Sequence, residues 1–473
     1  MRRGPFVASA LLFVGCTQGK SPDVAKGSPA ADSDTHVVVV GAGLAGLTVA
    51  RMLDEVGVTV TVVEARDRIG GRLWTEAVGG VPIDLGGAWV HGPRNNPLSD
   101  LADSAGVSLL EDDSRSNAGF DAVAGAAITE GQWQAMSDAY RGFPGELRAL
   151  RRALGDDASL ADGADAWIED AGLTGAKARG ARYAIEHWYG TTDYAAAPEA
   201  LSLRWFWEEG GFGGGDHLPD GGYALLVDEM ADGLTVELGQ PVVRVSHGAA
   251  GVTLETDSDR FEATHAVITV PLGVLRAGAI DFEPGLSADR QQRIDRLDMG
   301  HLEKVVLRYD TAWFRPEGGG TWISAEEDGA WADTVDLTDA AGAPTLAVIT
   351  GGAFSRDVRS AMSDADILQA VDEMLADLYG RTPPTPLDTA ITRWTDDPFA
   401  RGSYSFVPVG AALADCDALG EPEGDRLLFA GEATTSRYPS TAHGALWTGL
   451  REAHRLGVRR FSGAGMEGWE RGF

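Results

Sequence analysis

The chain has 473 residues, 44% of them hydrophobic, with 62 glycines and a formal net charge of −32. That length exceeds what one hydrophobic core usually organises, so two domains of a glycine-loop-rich α/β class are expected. The negative charge argues against nucleic acid as a partner, because a phosphate backbone would be repelled, and it permits steering of cationic ligands. The nine histidines fall at no metal-ligand spacing, so no metal is expected.

At the N-terminus, Arg2 and Arg3 precede a nine-residue apolar stretch, Phe6 to Val14. The stretch is too short to span a bilayer and has the order of an export signal. The run LFVGC resembles the lipobox of bacterial lipoproteins, with Cys16 as the acylated first residue of the mature chain. Thr17, in place of Asp, resembles sorting to the outer membrane. A twin-arginine signal is the alternative, suited to a protein folded before export. Residues 1–15 are then a signal peptide of lipoprotein type and 16–34 a flexible tether rich in Ser, Pro, Ala and Asp. Membrane attachment is expected only through that lipid. The other cysteine is Cys416, so an acylated Cys16 leaves no internal disulfide.

From about Thr35 the chain reads as globular. HVVVVGAGLAGLTVARMLDEVGVTVTVVE (36–64) is a strand, a glycine turn, an amphipathic helix and a second strand ending in an acid. In this pattern Gly41 makes the tight turn, Gly43 lets backbone approach a pyrophosphate and Gly46 allows close helix packing. The helix opening at Leu44 and Ala45 offers unpaired N–H groups and the positive end of its dipole to that anion. Glu64 is placed to accept ribose hydroxyls.

Apolar positions at helical spacing (Trp133, Met136, Tyr140, Leu147, Leu150, Leu154) predict a helical segment within 132–187. RWFWEEGGFGGGD (204–216) clusters aromatic residues with Glu208, Glu209 and Asp216. It has two readings: a lining for a remote ammonium, or a solvated glycine loop. Strand-like runs recur at 242–247, 251–256, 265–270, 304–309 and 345–350. A helix is expected at about 364–379, then the RTPPTP break, then the strand of LLFAGEA and an apolar helix from about Ala442 to Leu456. Lys304 interrupts one apolar run, on the same strand face as Leu302 and Val306. On its own it reads as an edge strand carrying a protective charge.

EARDRIGGRLWT (64–75), DLGGAWVHG (84–92), TVPLGVL (269–275), DPFARGSYSFVPVG (397–410) and LLFAGEATTSRYPSTAHGALWTGLREA (427–453) resemble FAD-dependent amine oxidases, in family order. The STAHGALWTGLREA and ARGSYS stretches are most similar to polyamine oxidases and lysine-specific histone demethylases, although the demethylases' long coiled-coil insertion is absent. The resemblance implies a Rossmann-type FAD-binding domain (35–93, 222–300 and 385–473) with a mixed-sheet and helical substrate domain (94–221 and 301–384). It implies noncovalent FAD held by Gly41, Gly43, Leu44, Ala45, Gly46, Glu64, Ala65, Arg66, Gly71 and Arg72. Gly87, Ala88, Trp89, Gly431, Glu432, Ser440, Thr441 and Ala442 complete that set. Arg66 and Arg72 would serve the pyrophosphate, and the helix at Ala442 would favour the reduced flavin edge. Glu432 has a rival reading as a helix-capping acid, and Val242, expected on the adenine, one as plain core.

The resemblance also places Lys304 beside the flavin, where its ammonium would assist electron transfer to O2. The amine would lie neutral in a slot walled by Tyr404, with Thr441 at the usual position of a second aromatic. Trp394 would flank the flavin or be ordinary core. His91 would touch the substrate amine or satisfy a turn. Ser403 stands where monoamine oxidases carry the flavin-linking Cys. The expected activity is oxidation of a small cationic amine, a polyamine or acetylated polyamine above others, with O2 yielding H2O2. Rival readings are a monoamine oxidase, an amino-acid oxidase using Arg94 for the carboxylate, a flavin dehydrogenase with another acceptor, and a non-catalytic flavin-binding module.

Overall fold

A computed structural model describes residues 35–112, 116–208, 210–324, 330–331, 333–461, 464–466 and 469. The expected export signal and tether (1–34, with Cys16) and Glu209 lie outside the described residues.

The valines of His36–Val40 are shut off on both faces, which is why this strand reads as an unbroken apolar run. It is the centre of a five-stranded parallel sheet in the order Val236–Glu237, Thr59–Val63, His36–Val40, His265–Ile268, Leu427–Phe429. Helices Leu44–Asp54 and Ala442–Arg455 cover one face, with Leu47, Leu446 and Leu450 in a shared core. The other face packs on a four-stranded sheet through Val38, Val40, Val245 and Leu254. The helix Pro97–Ala105, expected in the substrate domain, buries Leu98 and Leu101 in the first of these cores.

The second large unit is a seven-stranded mixed sheet. Its order is Asp388–Ile391, Glu303–Arg308, Thr345–Thr350, Asp333–Asp336, Gly319–Ile323, Ser116–Asp121, Ala126–Ala127. Helix Asp364–Tyr379 fills one face through Ile367, Val371 and Leu375 against Val305, Leu307 and Val348. On the opposite face, Val306 and Ala347 meet Ile83 and Leu85 of the neighbouring hairpin segment. The strand of Lys304 pairs on both sides, with Thr345–Thr350 and with Asp388–Ile391, so the edge-strand reading is overturned. The edge is Asp388–Ile391, which the boundary at 385 had assigned to the cofactor domain. The strands at 319–323 and 333–336 were not anticipated, since their Gly, Thr and Asp content hides the alternation.

The expected helical segment is three α-helices, Glu130–Leu154, Leu160–Asp170 and Gly175–Arg182, continued as the π-helix Tyr183–Asp193. Capping boxes at Thr129/Gln132 and Ser159/Asp162 start the first two. Met136, Phe143 and Leu147 supply the buried stripe. Among the described residues no helix is long and apolar enough to cross a membrane.

Candidate active site

One cavity of about 1170 Å³ runs from the glycine turn of the parallel sheet to the inner face of the seven-stranded sheet. At the first end Gly41 has φ +108°, a conformation that excludes a side chain, and a Cβ on Gly46 would stand 2.0 Å from the Gly41 oxygen. Gly46 therefore seats the helix on the strand and does not itself line the cavity, which Gly41, Gly43, Leu44 and Ala45 do. A Cβ on Gly43 would meet only the Gly70 oxygen, at 4.0 Å, and no side chain caps this helix. That is an open cradle at a helix start whose first N–H groups have no acceptor within the helix, the fit an anionic diphosphate requires. Glu64, buried at the strand end, accepts the N–H of Ala42 at 2.7 Å and of Arg66 at 2.9 Å, which fixes its carboxylate at the cavity wall beside Ala65. Val242 lines this end and also packs with Val40 and Val63, so it serves as core and as wall.

The two arginines expected at the diphosphate are both already engaged. Arg66 pairs with Asp397 at 2.6 Å, and its guanidinium lies 5.5 Å from the Phe399 ring centre. Arg72 donates to Glu432 and to the Ser403 oxygen, each at 2.8 Å. Both still line the cavity, as does Gly71, but with their charge partly spent within the protein. Glu432 is a buried hub that also accepts from the Ser405 hydroxyl at 2.6 Å and the Ser440 N–H at 3.1 Å. It does not cap the C-terminal helix: Thr441 does, accepting the Gly444 N–H at 2.9 Å and donating to the Tyr438 oxygen at 2.9 Å. The Thr441 hydroxyl is thus committed to the helix start. Gly431, Ser440 and Ala442 border the cavity beside it.

At the other end Lys304 is 4% exposed. Its ammonium donates to the Asp84 oxygen at 3.0 Å and the Gly86 oxygen at 2.7 Å, and lies 5.1 Å from the Trp89 ring centre. Burial lowers its pKa to about 8, against the pull of the Asp84 carboxylate. Asp84 is itself pushed up to about 6 by burial, opposed by hydrogen bonds from Thr75 and Tyr223 and by Lys304. Gly87 and Ala88 continue this wall, and the Trp89 indole donates to Asp112 at 2.8 Å. Trp394 is buried, donates to the Leu85 oxygen at 3.2 Å and meets Trp74 edge-on, while bordering the cavity; it is core and lining at once.

Tyr404 donates to the Thr192 oxygen at 2.8 Å, and burial raises its pKa far enough to keep the phenol neutral. His91 faces the cavity with Nδ1 2.8 Å from Asp216. The side chain is 57% exposed to the open cavity; the surrounding protein opposes charging, but Asp216 and then Asp193 outweigh this and raise the pKa above the ordinary 6.5. No described cysteine lines the cavity. Cys416 is buried in a separate core with Leu413 and Leu419.

Two expectations at this end need correction. Glu208 is drawn away by an ion pair with Arg151 and does not line the cavity; of that acidic trio Asp216 does, and Glu209 lies outside the described residues. Arg94 is also absent from the lining, which removes the carboxylate anchor an amino-acid oxidase reading required.

One acid was missed. Asp333 borders the cavity and accepts from Tyr183 and Thr321 at 3.2 Å and from Thr192 at 3.3 Å; His187 Nε2 lies 3.3 Å away without hydrogen-bond geometry. Lys304 pairs with Ile349 and Ile349 with Asp333, so all three share one sheet face, with the Cα atoms of Lys304 and Asp333 two strand spacings apart, roughly 10 Å. The signal was present in DTVD, where an acid interrupts a strand as Lys304 does.

A parallel sheet with an open diphosphate cradle, joined through one cavity to a sheet presenting a buried ammonium, defines a two-domain enzyme class that uses a dinucleotide cofactor. The family model for flavin-containing amine oxidoreductase matches residues 44–457, and the chain belongs to that family. FLOWERING LOCUS D of Arabidopsis thaliana is 34% identical, across 90% of this chain and 56% of its own length. Lysine-specific histone demethylase 1 homolog 1 of Oryza sativa subsp. japonica is 33% identical, across 89% of this chain and 52% of its own. Polyamine oxidase 2 of Arabidopsis thaliana is 30% identical, across 89% of this chain and 88% of its own. The chain thus spans little more than half the length of the first two of these relatives. A solved putrescine oxidase bound to putrescine, 22% identical, superposes with a TM-score of 0.74 over 89% of this chain and 99% of that one, which shows the fold. The family's cofactor is a flavin. The cavity fits it as FAD: Glu64, Gly43, Glu432, Ser440 and Lys304 all line it.

Proposed function

We propose that the chain is a FAD-dependent oxidase of small cationic amines, with diamines and polyamines as the substrate class and O2 as electron acceptor giving H2O2. The observation that carries this reading is the row Lys304–Ile349–Asp333 on one cavity face beside the neutral phenol of Tyr404. Bound FAD supplies a two-electron acceptor for the substrate's C–H bond. The rest falls to the protein. Tyr404 and the buried wall exclude water, so the reacting nitrogen is held in its neutral form. His91, backed by Asp216, accepts that nitrogen's proton. Asp333 holds a second ammonium further along the chain of carbons, its buried carboxylate oriented toward the cavity by Tyr183, Thr192 and Thr321. Lys304 keeps a positive charge where oxygen is reduced.

Relatives named as polyamine oxidases support the substrate class. The unlinked state of FAD rests on Ser403 and on a lining without cysteine. We further propose an exported lipoprotein anchored through Cys16, on the strength of the N-terminal pattern.

Anaerobic titration of the purified flavoprotein with spermidine, N-acetylspermine, tyramine and amino acids, followed by air and a peroxide assay, tests the reading. Bleaching by polyamine with stoichiometric peroxide supports it. Bleaching by amino acids alone, or reduction without peroxide, would move the protein to another class of flavoenzyme.

A further inference from the structure

Behind Lys304, on the face away from the cavity, lies an ion pair that the proposed chemistry does not use. Glu303 and Arg359 are each 1% exposed, with Arg359 Nη1 3.8 Å from the carboxylate. Burying two charges usually costs more than an apolar pair of the same volume, unless their hydrogen bonds do something apolar groups cannot. Here they gather one turn. Glu303 accepts from the Thr392 hydroxyl at 2.6 Å, the Trp394 N–H at 3.0 Å and the Thr395 N–H at 2.9 Å. Arg359 donates to the Thr392 oxygen at 2.9 Å.

Thr392 in turn brackets the lysine backbone. Its hydroxyl accepts the Lys304 N–H at 2.8 Å, and its own N–H donates to the Lys304 oxygen at 3.0 Å. On the cavity side, the same two residues hold three successive carbonyls. Lys304 takes those of Asp84 and Gly86, and the Trp394 indole takes that of Leu85.

We infer that Glu303, paired with Arg359, is a positioning residue that locks Lys304 and Trp394 into one register against segment 84–86, and so sets the placement of the ammonium at the cavity. The inference rests on the reading of Lys304 given above. Its action is geometric: Asp84 is the charge that acts on Lys304, while Glu303 faces the other side of the strand with its charge offset by Arg359.

The chain has four lysines, Lys20, Lys26, Lys177 and Lys304, so labelling with lysine carrying 13C at Cε gives a simple spectrum in which the buried ammonium titrates apart from the others. In the holoprotein and the apoprotein, Glu303→Ala should move the Lys304 midpoint further below its ordinary value, by about half a unit or more, as the buried ammonium loses its carbonyl acceptors. Glu303→Gln, which keeps an acceptor for the Trp394 and Thr395 N–H groups, should stay near the parent midpoint. Reoxidation of the reduced holoenzyme should slow about tenfold in Glu303→Ala, with amine reduction less affected. Should Glu303→Ala not fold, Thr392→Val removes the hydroxyl bridge alone and should move the midpoint the same way. An unchanged Lys304 midpoint in the folded variants overturns the inference. Failure of the Lys304 reading would show separately, as unchanged reoxidation in Lys304→Met.

Discussion

Lys304 and Asp333 stand on one face of the seven-stranded sheet, separated by Ile349, with the cation and the anion opening onto the same cavity. Their backbones are held roughly 10 Å apart by the ladder, and the Lys304 ammonium is held by the Asp84 and Gly86 carbonyls. On the proposed reading a diamine spans this row, oxidised at one nitrogen and held by the other.

Asp333→Asn should therefore raise KM for putrescine or spermidine about ten- to hundredfold, the range expected for a hydrogen bond to a charged group worth about 1.5–3 kcal/mol. A monoamine of similar length should be affected far less. Steady-state kinetics with the two substrate types decides it, and equal losses for both would remove Asp333 from the substrate site.

Lys304→Met should retain FAD while slowing reoxidation by about tenfold or more, read by stopped-flow mixing of the reduced protein with O2. The same variant tests the burial of the ammonium. With a folded pKa of about 8 against an ordinary 10.5, the unfolded chain binds the proton more tightly between those values. Stability contributed by this group is at its worst below pH 8 and rises as pH climbs toward 10.5, by up to roughly 3 kcal/mol. The stability difference between parent and Lys304→Met apoproteins, from urea unfolding, should therefore change with pH only in that alkaline window.

His91 has its pKa raised above 6.5, chiefly through Asp216 acting against burial, so it carries a charge at mildly acidic pH. A charged imidazole repels the cationic substrate and cannot take its proton. Amine binding should strengthen as pH rises through the His91 midpoint, and Asp216→Asn should shift that rise to lower pH. A binding profile with the same midpoint in Asp216→Asn would show that the pair does not govern it.

Glu64→Ala should weaken cofactor retention, because the carboxylate both faces the cavity and pins the turn through Ala42 and Arg66. Flavin-to-protein ratios after gel filtration measure this, and full occupancy would discredit the ribose contact. Acid precipitation of the parent protein should release the flavin into the supernatant, since Ser403 offers no sulfur for attachment.

Local pattern carried much of this protein. The apolar run at 36–40, the glycine spacing after it and the acid at Glu64 are short-range features that a single strand–turn–helix unit requires, so the strand, the turn and the helix at this end of the cavity were legible. The helices at 364–379 and 442–455 and the strand at 345–350 were legible for the same reason, because period and termination signals lie within the segment.

What tertiary structure alone decided was partnership. Lys304 is interior to its sheet because Asp388–Ile391, more than 80 residues away, pairs along it. Glu208 left the cavity because Arg151 claims it, and Asp333 entered it because ladder register set it in the row of Lys304. Charges find partners through space, and a strand's neighbours are fixed only when the sheet closes. The chain thus determined which residues could do chemistry, and the fold determined which of them face one another.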